Sequence, residues 1–226
     1  MSKFEVHTVR CPACGHSQEV ELYVSINADR MPEATGKLID GSWEHFVCTA
    51  CADNFRIDHR LLYTDLPLKR WIVQHPWSTR GRFATLEAEA VRVFREEYLE
   101  RPPPEIRRQA EGISPRICFG RPQLAEKLIL WRLGIDDRAL ESFKLVLLRN
   151  HLEQLMPLGP CELQLIAATQ AQLEFMVVSL GSGTALDRLQ AAAGEFRRVA
   201  DDLDAFRPAF PDLFDHAYVN ASRYLL

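Results

Sequence analysis

Four of the six cysteines stand in two pairs of the form Cys-x-x-Cys. Cys11 and Cys14 lie in Cys-Pro-Ala-Cys-Gly, and Cys48 and Cys51 lie in Cys-Thr-Ala-Cys. Two intervening residues let both sulfurs of one tight turn face the same point, and a second such turn completes a tetrahedron of thiolates. The spacing therefore predicts one metal site with Cys11, Cys14, Cys48 and Cys51 as its ligands.

The ligand type indicates which metal this site would bind. Thiolates without a competing carboxylate favour zinc over magnesium or calcium. Four protein ligands leave no open position, so the site is expected to be structural and to contribute free energy to folding. We expect one Zn²⁺ per chain, while an iron–sulfur cluster, which uses the same four thiolates, remains an alternative. A redox dithiol is less favoured because no thioredoxin-like βαβ pattern accompanies the cysteines.

The residues beside the cysteines suit tight turns to different degrees. Pro12 presets φ in the first turn, and Gly15 can adopt the positive φ that brings backbone amides close to the sulfurs. The second turn has no glycine, so Asp53 or Asn54 is expected to take the left-handed conformation there. Nearby histidines are interpreted as surface residues or as neighbours of the ligands; these are His7, His16, His45 and His59.

The two remaining cysteines, Cys118 and Cys161, lie in apolar surroundings. Free cysteines of this kind usually behave as small buried apolar residues. The N-terminus has no apolar segment of the secretory type, which favours a cytoplasmic location and argues against a disulfide between them.

Hydrophobic periodicity places the cysteine turns at the tips of strand pairs. Residues 19–26 alternate between polar and apolar, as in a half-buried strand, and residues 32–39 are predicted as a short helix starting near Pro32. Further strands are predicted over 43–47, 54–57 and 70–74. Two cysteine turns at strand tips make a zinc ribbon, here with a helical insertion between its halves.

Beyond residue 85 the apolar period changes from two to nearly four, which predicts helices. The predicted elements are a helix over 86–99 ended by Pro102–Pro104, a short helix over 105–111, a strand over 116–119, helices over 123–133 and 136–155, a hairpin over 162–179, and a helix over 185–205. The fold class is therefore α+β, a zinc ribbon joined to a mixed helix and sheet domain. The predicted division is 1–80 and 81–226, with one continuous domain as the alternative.

Composition and charge exclude several classes of protein. The 226 residues are 47% hydrophobic and 26% charged, as in an ordinary globular domain, and no run of 18 apolar residues exists to span a membrane. The net charge is −4, but residues 56–150 carry +5 while 1–55 and 151–226 carry −4 and −5. This arginine-rich middle either meets an acidic partner or nucleic acid, or is offset by the acidic ends of the same chain.

Several segments together resemble a known family. The Cys-Pro-x-Cys motif followed by Ser25–Asp29 is similar to the bacterial CpXC domain, which is named for that motif. The further segments that resemble it are Leu38–Ser42, Leu61–Asp65, Arg116–Gly120, Leu124 with Glu126 and Lys127, and Gly134–Asp137 with Arg138, Glu141 and Lys144. The resemblance covers about two thirds of the chain, implies that the four cysteines are ligands, and implies no reaction.

Residues that an enzyme would need are not found as motifs. The chain lacks a Gly-x-Ser-x-Gly elbow, a Walker loop, a His-Glu-x-x-His pair and a Rossmann glycine triplet. Gly181–Thr184 is interpreted as a turn with Thr184 as a helix N-cap in preference to an anion site. The carboxylates of Asp136, Asp137 and Glu141 with Lys144 are interpreted as helix-end charge in preference to a catalytic pair. No catalytic or cofactor-binding residue is predicted.

The leading hypothesis is a zinc-stabilised scaffold that binds another protein or its own copy. A strand edge of the ribbon and the aromatic residues Tyr63, Trp43, Trp71 and Trp77 offer contact surface, although Trp43 and Trp71 also fit the core of the ribbon. Nucleic-acid binding through the ribbon and the arginine-rich middle is the second hypothesis. An enzyme with the ribbon as an accessory is the third and least favoured.

Overall fold

The computed structural model describes residues 2–225. The chain forms two compact units, Met1–Ala125 and Glu126–Leu226. Helices and sheets occur in both, so the predicted α+β class is confirmed. The predicted domains 1–80 and 81–226 concern which part of the chain folds independently, and that division stays a prediction.

The first unit is built on a five-stranded mixed sheet with strand order β1-β2-β5-β6-β7. Strands β1 and β2 are antiparallel, β2 and β5 parallel, β5 and β6 antiparallel, and β6 and β7 parallel. Its strands are β1 (Lys3–Arg10), β2 (Ser17–Asn27), β5 (Leu61–Asp65), β6 (Arg70–His75) and β7 (Arg116–Phe119), and a separate pair consists of β3 (Phe46–Val47) and β4 (Asn54–Phe55).

Burial in this sheet explains which strands the sequence predicts well. Strand β6 lies between two neighbours and its residues after Arg70 are all buried, as its apolar run Trp71–Val73 indicates. Strand β1 was not predicted, because most of its side chains are exposed on both faces and no apolar stripe marks it. Strand β3 is shorter than predicted: residues 43–45 turn, with Glu44 at φ +55°.

The helices of the first unit begin where the prolines suggest. Helix α1 (Pro32–Asp40) has proline in its first turn, and α3 (Pro104–Ala110) follows the proline run that ends the preceding helical stretch. That stretch consists of α2 (Phe83–Phe94) and a π-helical turn over Arg95–Glu100. Helix α4 (Gly120–Leu133) contains the boundary between the two units.

The second unit has a three-stranded antiparallel sheet, of order β10-β9-β8, and helices that pack on it. Its elements are α5 (Asp137–Asn150), α6 (Leu152–Leu155), β8 (Cys161–Ala168), β9 (Gln172–Ser179), β10 (Ala185–Ala192), α7 (Ala193–Asp201) and α8 (Asp212–Asp215). The predicted N-cap is confirmed, since Asp136 accepts a hydrogen bond from the Arg138 N–H at 2.9 Å. The α5 face packs Leu140, Phe143 and Leu147 against Phe175 and Phe196.

The predicted helix over 185–205 is wrong in its first half. Residues 185–192 pair with β9 as strand β10, and only Ala193–Asp201 is helical. Leu189 and Ala191 are buried at a spacing of two, as in a strand. The same apolar residues also fit one face of a helix, so the sequence pattern does not distinguish the two. The edge of β9 decides the outcome, because pairing with it satisfies the backbone groups of this segment.

Candidate metal centre

The four cysteines of the two Cys-x-x-Cys pairs lie together at one end of the β1–β2 hairpin. Their sulfur atoms are all within 4.8 Å of one another. Cys11 Sγ lies 3.7 Å from Cys51 Sγ. Cys14 Sγ lies 3.6 Å from Cys48 Sγ. Both of these distances run between the two pairs, so the two turns face a common point.

These distances fit a tetrahedral metal site. Zinc–sulfur bonds of about 2.3 Å in a tetrahedron place sulfur atoms about 3.8 Å apart. The two distances between the pairs agree with that value to within 0.2 Å. The donor set of four sulfurs suits a soft cation, and all four ligand positions would be filled by protein. The predicted ligands are therefore close enough to hold one metal ion.

The first cysteine turn is stabilised by its own backbone. The Gly15 N–H donates to the Cys11 carbonyl at 2.9 Å, and the Cys11 N–H donates to the His16 carbonyl at 2.8 Å. Gly15 adopts φ +74°, as predicted, and no atom lies near the position a Cβ would take. Glycine is therefore needed here for conformation and not for space.

The second turn repeats this pattern residue for residue. The Ala52 N–H donates to the Cys48 carbonyl and the Cys48 N–H donates to the Asp53 carbonyl, both at 2.9 Å. The left-handed residue is Ala52, at φ +59°, so the prediction that Asp53 or Asn54 would take this conformation is wrong. The reason is the hydrogen-bond pattern, which requires the left-handed residue four positions after the first cysteine.

Backbone amides also act on the sulfur atoms. The N–H groups of Ala50 and Cys51 donate to the Cys48 sulfur and lower its pKa to about 6. The Asp53 N–H donates to the Cys51 sulfur, but the neighbouring sulfurs, Cys14 foremost, together with burial, raise the pKa of Cys51 to about 12. Four thiolates at these distances repel one another, and a bound cation would remove that repulsion.

A small apolar cluster and one glutamine join the two turns. Cys11 and Cys48 are each 2% exposed and pack with Phe55, whose ring lies 6.0 Å from that of Phe46. The Gln18 side chain donates to the Val47 carbonyl at 3.1 Å and accepts from the Thr49 N–H at 2.9 Å. Strand β2 is thus tied to the second cysteine turn without any metal.

The histidines close to the cysteines in sequence have other partners. His7 is exposed beside Glu5, and His59 Nε2 lies 3.0 Å from the Tyr23 carbonyl oxygen. His45 accepts from Arg56 at 2.5 Å. Within residues 2–225 the group of possible metal-binding side chains at this site consists of the four cysteines. Cys118 and Cys161 are buried, as expected of small apolar residues.

The aromatic residues considered as contact surface lie mostly in the core. Tyr63 and Trp71 are fully buried, and Trp43 is 8% exposed, which confirms the core interpretation for Trp43 and Trp71. Trp77 is half-buried, with the Arg80 guanidinium 4.4 Å from its ring centre.

Four exposed arginines of the middle region pair with nearby glutamates, whereas others, such as Arg82, Arg107 and Arg149, are exposed without an ion pair within residues 2–225. The pairs are Arg92–Glu96 at 3.0 Å, Arg95–Glu100 at 2.5 Å, Arg101–Glu97 at 2.5 Å and Arg108–Glu105 at 3.7 Å. These acidic partners come from the same helical region and are already counted in the charge of residues 56–150, so the excess of +5 remains. That the acidic ends of the chain offset this excess stays a prediction.

The charged residues at the start of α5 form part of a buried ionic network in the second unit. Lys144 Nζ lies 2.7 Å from Glu126 and 3.0 Å from Glu141, and Lys127 Nζ lies 3.2 Å from Asp137. All five side chains are less than 5% exposed. Burial raises the pKa of Glu126 to about 7, although the Lys144 charge beside it acts to lower it.

This network also binds the backbone of the C-terminal segment. Lys127 Nζ donates to the Val219 carbonyl at 2.5 Å, and the Ala221 N–H donates to Glu141 at 2.9 Å. A second carboxylate, Glu126, accepts from the Leu165 N–H of β8. These charges are engaged in interior contacts, which supports a structural role over a catalytic pair.

The Gly181–Thr184 segment is a hairpin turn between β9 and β10. The Ser179 N–H donates to the Thr184 carbonyl at 2.9 Å. A strand follows it, so Thr184 is not a helix N-cap as predicted, and no helix N-terminus is present here to bind an anion.

No helix within residues 2–225 combines the length and apolar character needed to cross a membrane.

Comparison with known proteins identifies the family. The family model described as CpXC protein matches residues 9–144, which include both cysteine pairs and extend to Lys144. No curated protein and no solved structure matches the chain. The match covers more than half of the chain and agrees with the resemblance noted in the sequence, and the chain therefore belongs to the CpXC family.

Proposed function

We propose that this chain is a zinc-stabilised scaffold that binds another protein. The hairpin β1–β2 and the pair β3–β4 form the two halves of a zinc ribbon, and a single Zn²⁺ bound by Cys11, Cys14, Cys48 and Cys51 holds them together. The observation that carries the proposal is the convergence of four sulfurs from two turns with the same hydrogen-bond pattern. A metal with four protein ligands braces a fold and leaves no position for substrate.

The size of the surrounding structure explains why a brace is needed. Strands β3 and β4 have two residues each, and Phe55 is the one buried apolar side chain, besides the cysteines, in the described cluster beneath the sulfurs. Such a small cluster buries too little apolar surface to hold its segment in place, so a metal supplies the missing free energy. A reducing compartment such as the cytoplasm keeps the thiols available for it.

The charge distribution favours a protein partner over nucleic acid. A nucleic-acid-binding surface needs arginines and lysines that are free to neutralise phosphates. The exposed arginines Arg92, Arg95 and Arg101 instead form ion pairs with glutamates of their own helical stretch. Those carboxylates would have to be displaced by phosphate or would repel it.

Elemental analysis tests the zinc site. Purified chain is expected to contain about one zinc per chain, because four thiolates fill one tetrahedral site. Cys11→Ala should lose the zinc and the folded structure of the cysteine region. Cys118→Ala, which removes a buried thiol outside the site, should retain one zinc. Equal zinc content in the two variants, or iron in place of zinc, would contradict the proposal.

A further inference from the structure

Strand β2 has a free edge over much of its length. On one side it pairs with β1 along Ser17–Tyr23 and at Ser25. On the other side β5 pairs with it only through Ser25–Asn27. Within the described chain, residues 17–24 therefore have no strand on the side away from β1. Such an edge offers unpaired backbone groups to a further strand.

Contacts at Tyr23 show which backbone groups point to this edge. The Tyr23 N–H donates to Glu44 Oε1 at 2.6 Å, and the Tyr23 carbonyl oxygen lies 3.0 Å from His59 Nε2. Neither partner belongs to β1, so the backbone of Tyr23 points away from that strand. Because the direction alternates along a strand, Glu19 and Glu21 present their N–H and C=O groups on the same side.

The cysteine turn confirms this alternation from the other end of the strand. The Cys11 N–H at the end of β1 donates to the carbonyl of His16, just before β2. Even-numbered residues of β2 thus face β1. The register of the pair is regular from Phe4 to Arg10, with the irregularity placed between Lys3 and Phe4. Two residues of β2, Glu19 and Glu21, therefore offer backbone donors and acceptors at the free edge.

This edge opens onto a groove of about 650 Å³ lined by β2, by α1 and by residues 42–47. Two side-chain bridges delimit it. Gln18 connects β2 to Val47 at 3.1 Å, and Glu44 connects to the Tyr23 N–H at 2.6 Å. Four residues of β2 lie between the bridges, a length of roughly 13 Å. A short extended peptide matches this length.

The groove is acidic. Glu19, Glu21 and Glu33 line it, all three are exposed, and none of them forms an ion pair within residues 2–225. Glu44 also lines it but is already paired with Arg121 at 2.8 Å. One lysine, Lys37, also lines the groove, so the three other carboxylates exceed the lysine charge by two.

Aromatic side chains complete the lining. The rings of Tyr23 and Trp43 meet edge to face, with centres 5.1 Å apart. Trp43 is 8% exposed, and its indole N–H has no acceptor in the described part of the chain. Aromatic faces next to carboxylates favour the ammonium group and the alkyl chain of lysine.

We propose that this groove binds an extended lysine-bearing peptide segment of a partner protein, which pairs as an added strand with the edge of β2 at Glu19 and Glu21. Backbone hydrogen bonds give such a complex its affinity, and the carboxylates select basic side chains. The proposal rests on the scaffold function proposed above and names its partner class. It also depends on the metal, because Gln18 and the second cysteine turn position one wall of the groove.

Fluorescence anisotropy with a labelled peptide tests the proposal. The probe is a peptide of alternating lysine and valine, about seven residues long. Binding to the zinc-loaded chain is expected, with an affinity that falls as salt is added. Glu19→Lys with Glu21→Lys should weaken binding roughly tenfold or more, since two charge contacts become repulsive. Glu111→Lys, a single charge reversal at an exposed glutamate just after α3, changes the net charge half as much and should leave the affinity unchanged.

Modified peptides test the strand pairing without altering the protein. Methylation of every second backbone nitrogen of the peptide removes N–H groups that could donate to β2. Two such peptides exist, methylated at the odd or at the even positions, and we expect one of them to bind at least tenfold more weakly than the parent. A peptide with glutamate in place of lysine should not bind measurably. If both methylated peptides bind as well as the parent, or if Glu111→Lys weakens binding as much as the groove changes do, the proposal is wrong.

Zinc content, measured on every protein sample, separates this inference from the function on which it rests. A chain that holds one zinc and does not bind the lysine peptide overturns the groove proposal and leaves the zinc scaffold standing. A chain without zinc overturns the proposed scaffold itself. Sedimentation of the protein alone adds a further outcome: a dimer that the peptide dissociates would assign the groove to a second copy and overturn the proposal.

Discussion

Ala52 occupies in the second cysteine turn the place that Gly15 occupies in the first. Both residues donate to the carbonyl of the first cysteine of their pair, and both have positive φ. An alanine in this conformation carries a steric cost of about 1 kcal/mol, because its Cβ approaches the backbone. The cost is tolerated because the backbone hydrogen bonds from Ala52 to Cys48 and from Cys48 to Asp53 fix the turn.

Ala52→Gly is therefore expected to stabilise the zinc-bound chain by about 1 kcal/mol, less the entropy that a glycine adds to the unfolded chain. Gly15→Ala should destabilise it by a similar amount, since the space for a Cβ is open and only the conformation opposes it. Urea unfolding in the presence of zinc measures both changes. Opposite signs for the two variants are the expected result; a loss of stability in both would show that Ala52 packs better than its φ suggests.

At the residue scale the sequence predicted which sulfur atoms come together and missed their environment. Cysteine spacing alone indicated that Cys11, Cys14, Cys48 and Cys51 converge, because the geometry of a thiolate tetrahedron leaves few alternatives. Gln18, which connects the two turns, carries no signal of its own. Its role follows from the register of β2, which the sequence does not specify.

At the scale of elements, the buried ionic network of the second unit joins α4, α5, β8 and the C-terminal segment. Glu126 and Lys127 stand next to each other in α4, within the otherwise apolar stretch 124–130. A charged pair in such a stretch was the available signal for buried charge, whereas Glu141 and Lys144 were interpreted as helix-end charge. Glu141 and Lys144 are partners three residues apart, but Glu126 and Lys127 find theirs ten or more residues away, where a local pattern could not identify them.

Removal of one charge from this network should be far more damaging than removal of an exposed charge. Lys144→Met leaves Glu126 and Glu141 buried without their nearest cation, and we expect a loss of roughly 3–5 kcal/mol in the free energy of unfolding. Glu126→Gln in the same chain should recover part of this loss. The comparison variant is Arg188→Met, which removes a 66% exposed partner of Glu174 at 3.0 Å and should cost less than about 1 kcal/mol.

Denaturant unfolding followed by circular dichroism measures these changes. If Lys144→Met cost no more than Arg188→Met, the network would contribute little beyond surface pairing, and its place in the core would need another explanation.

The wrong prediction for residues 185–205 also shows that contacts distant in sequence decide which element forms. The secondary structure of a short amphipathic segment depends more on the strand available for pairing, here β9, than on the hydrophobic period of the segment itself.

At the scale of the whole molecule, the cysteine region of the first unit differs from the second unit in the size of its apolar core. The second unit has an apolar core of sixteen buried residues that includes Phe143, Phe175 and Phe196. The cysteine region of the first unit has three, Cys11, Cys48 and Phe55. We expect a core of the first kind to fold without a metal, and the short strands of the cysteine region to depend on one.

Metal removal should therefore loosen one part of the chain and not another. Treatment with a chelator is expected to raise amide hydrogen exchange sharply in peptides covering residues 9–57, because the turns and the β3–β4 pair lose their brace. Peptides from β8, β9 and β10 should exchange at the same rate with and without metal. Hydrogen exchange read by mass spectrometry gives both results in one experiment, and renewed addition of zinc should restore protection around the cysteines. Uniform loss of protection throughout residues 2–225 would show that the ion supports the whole chain, and no change at residues 9–57 would show that Gln18 and the apolar cluster suffice without it.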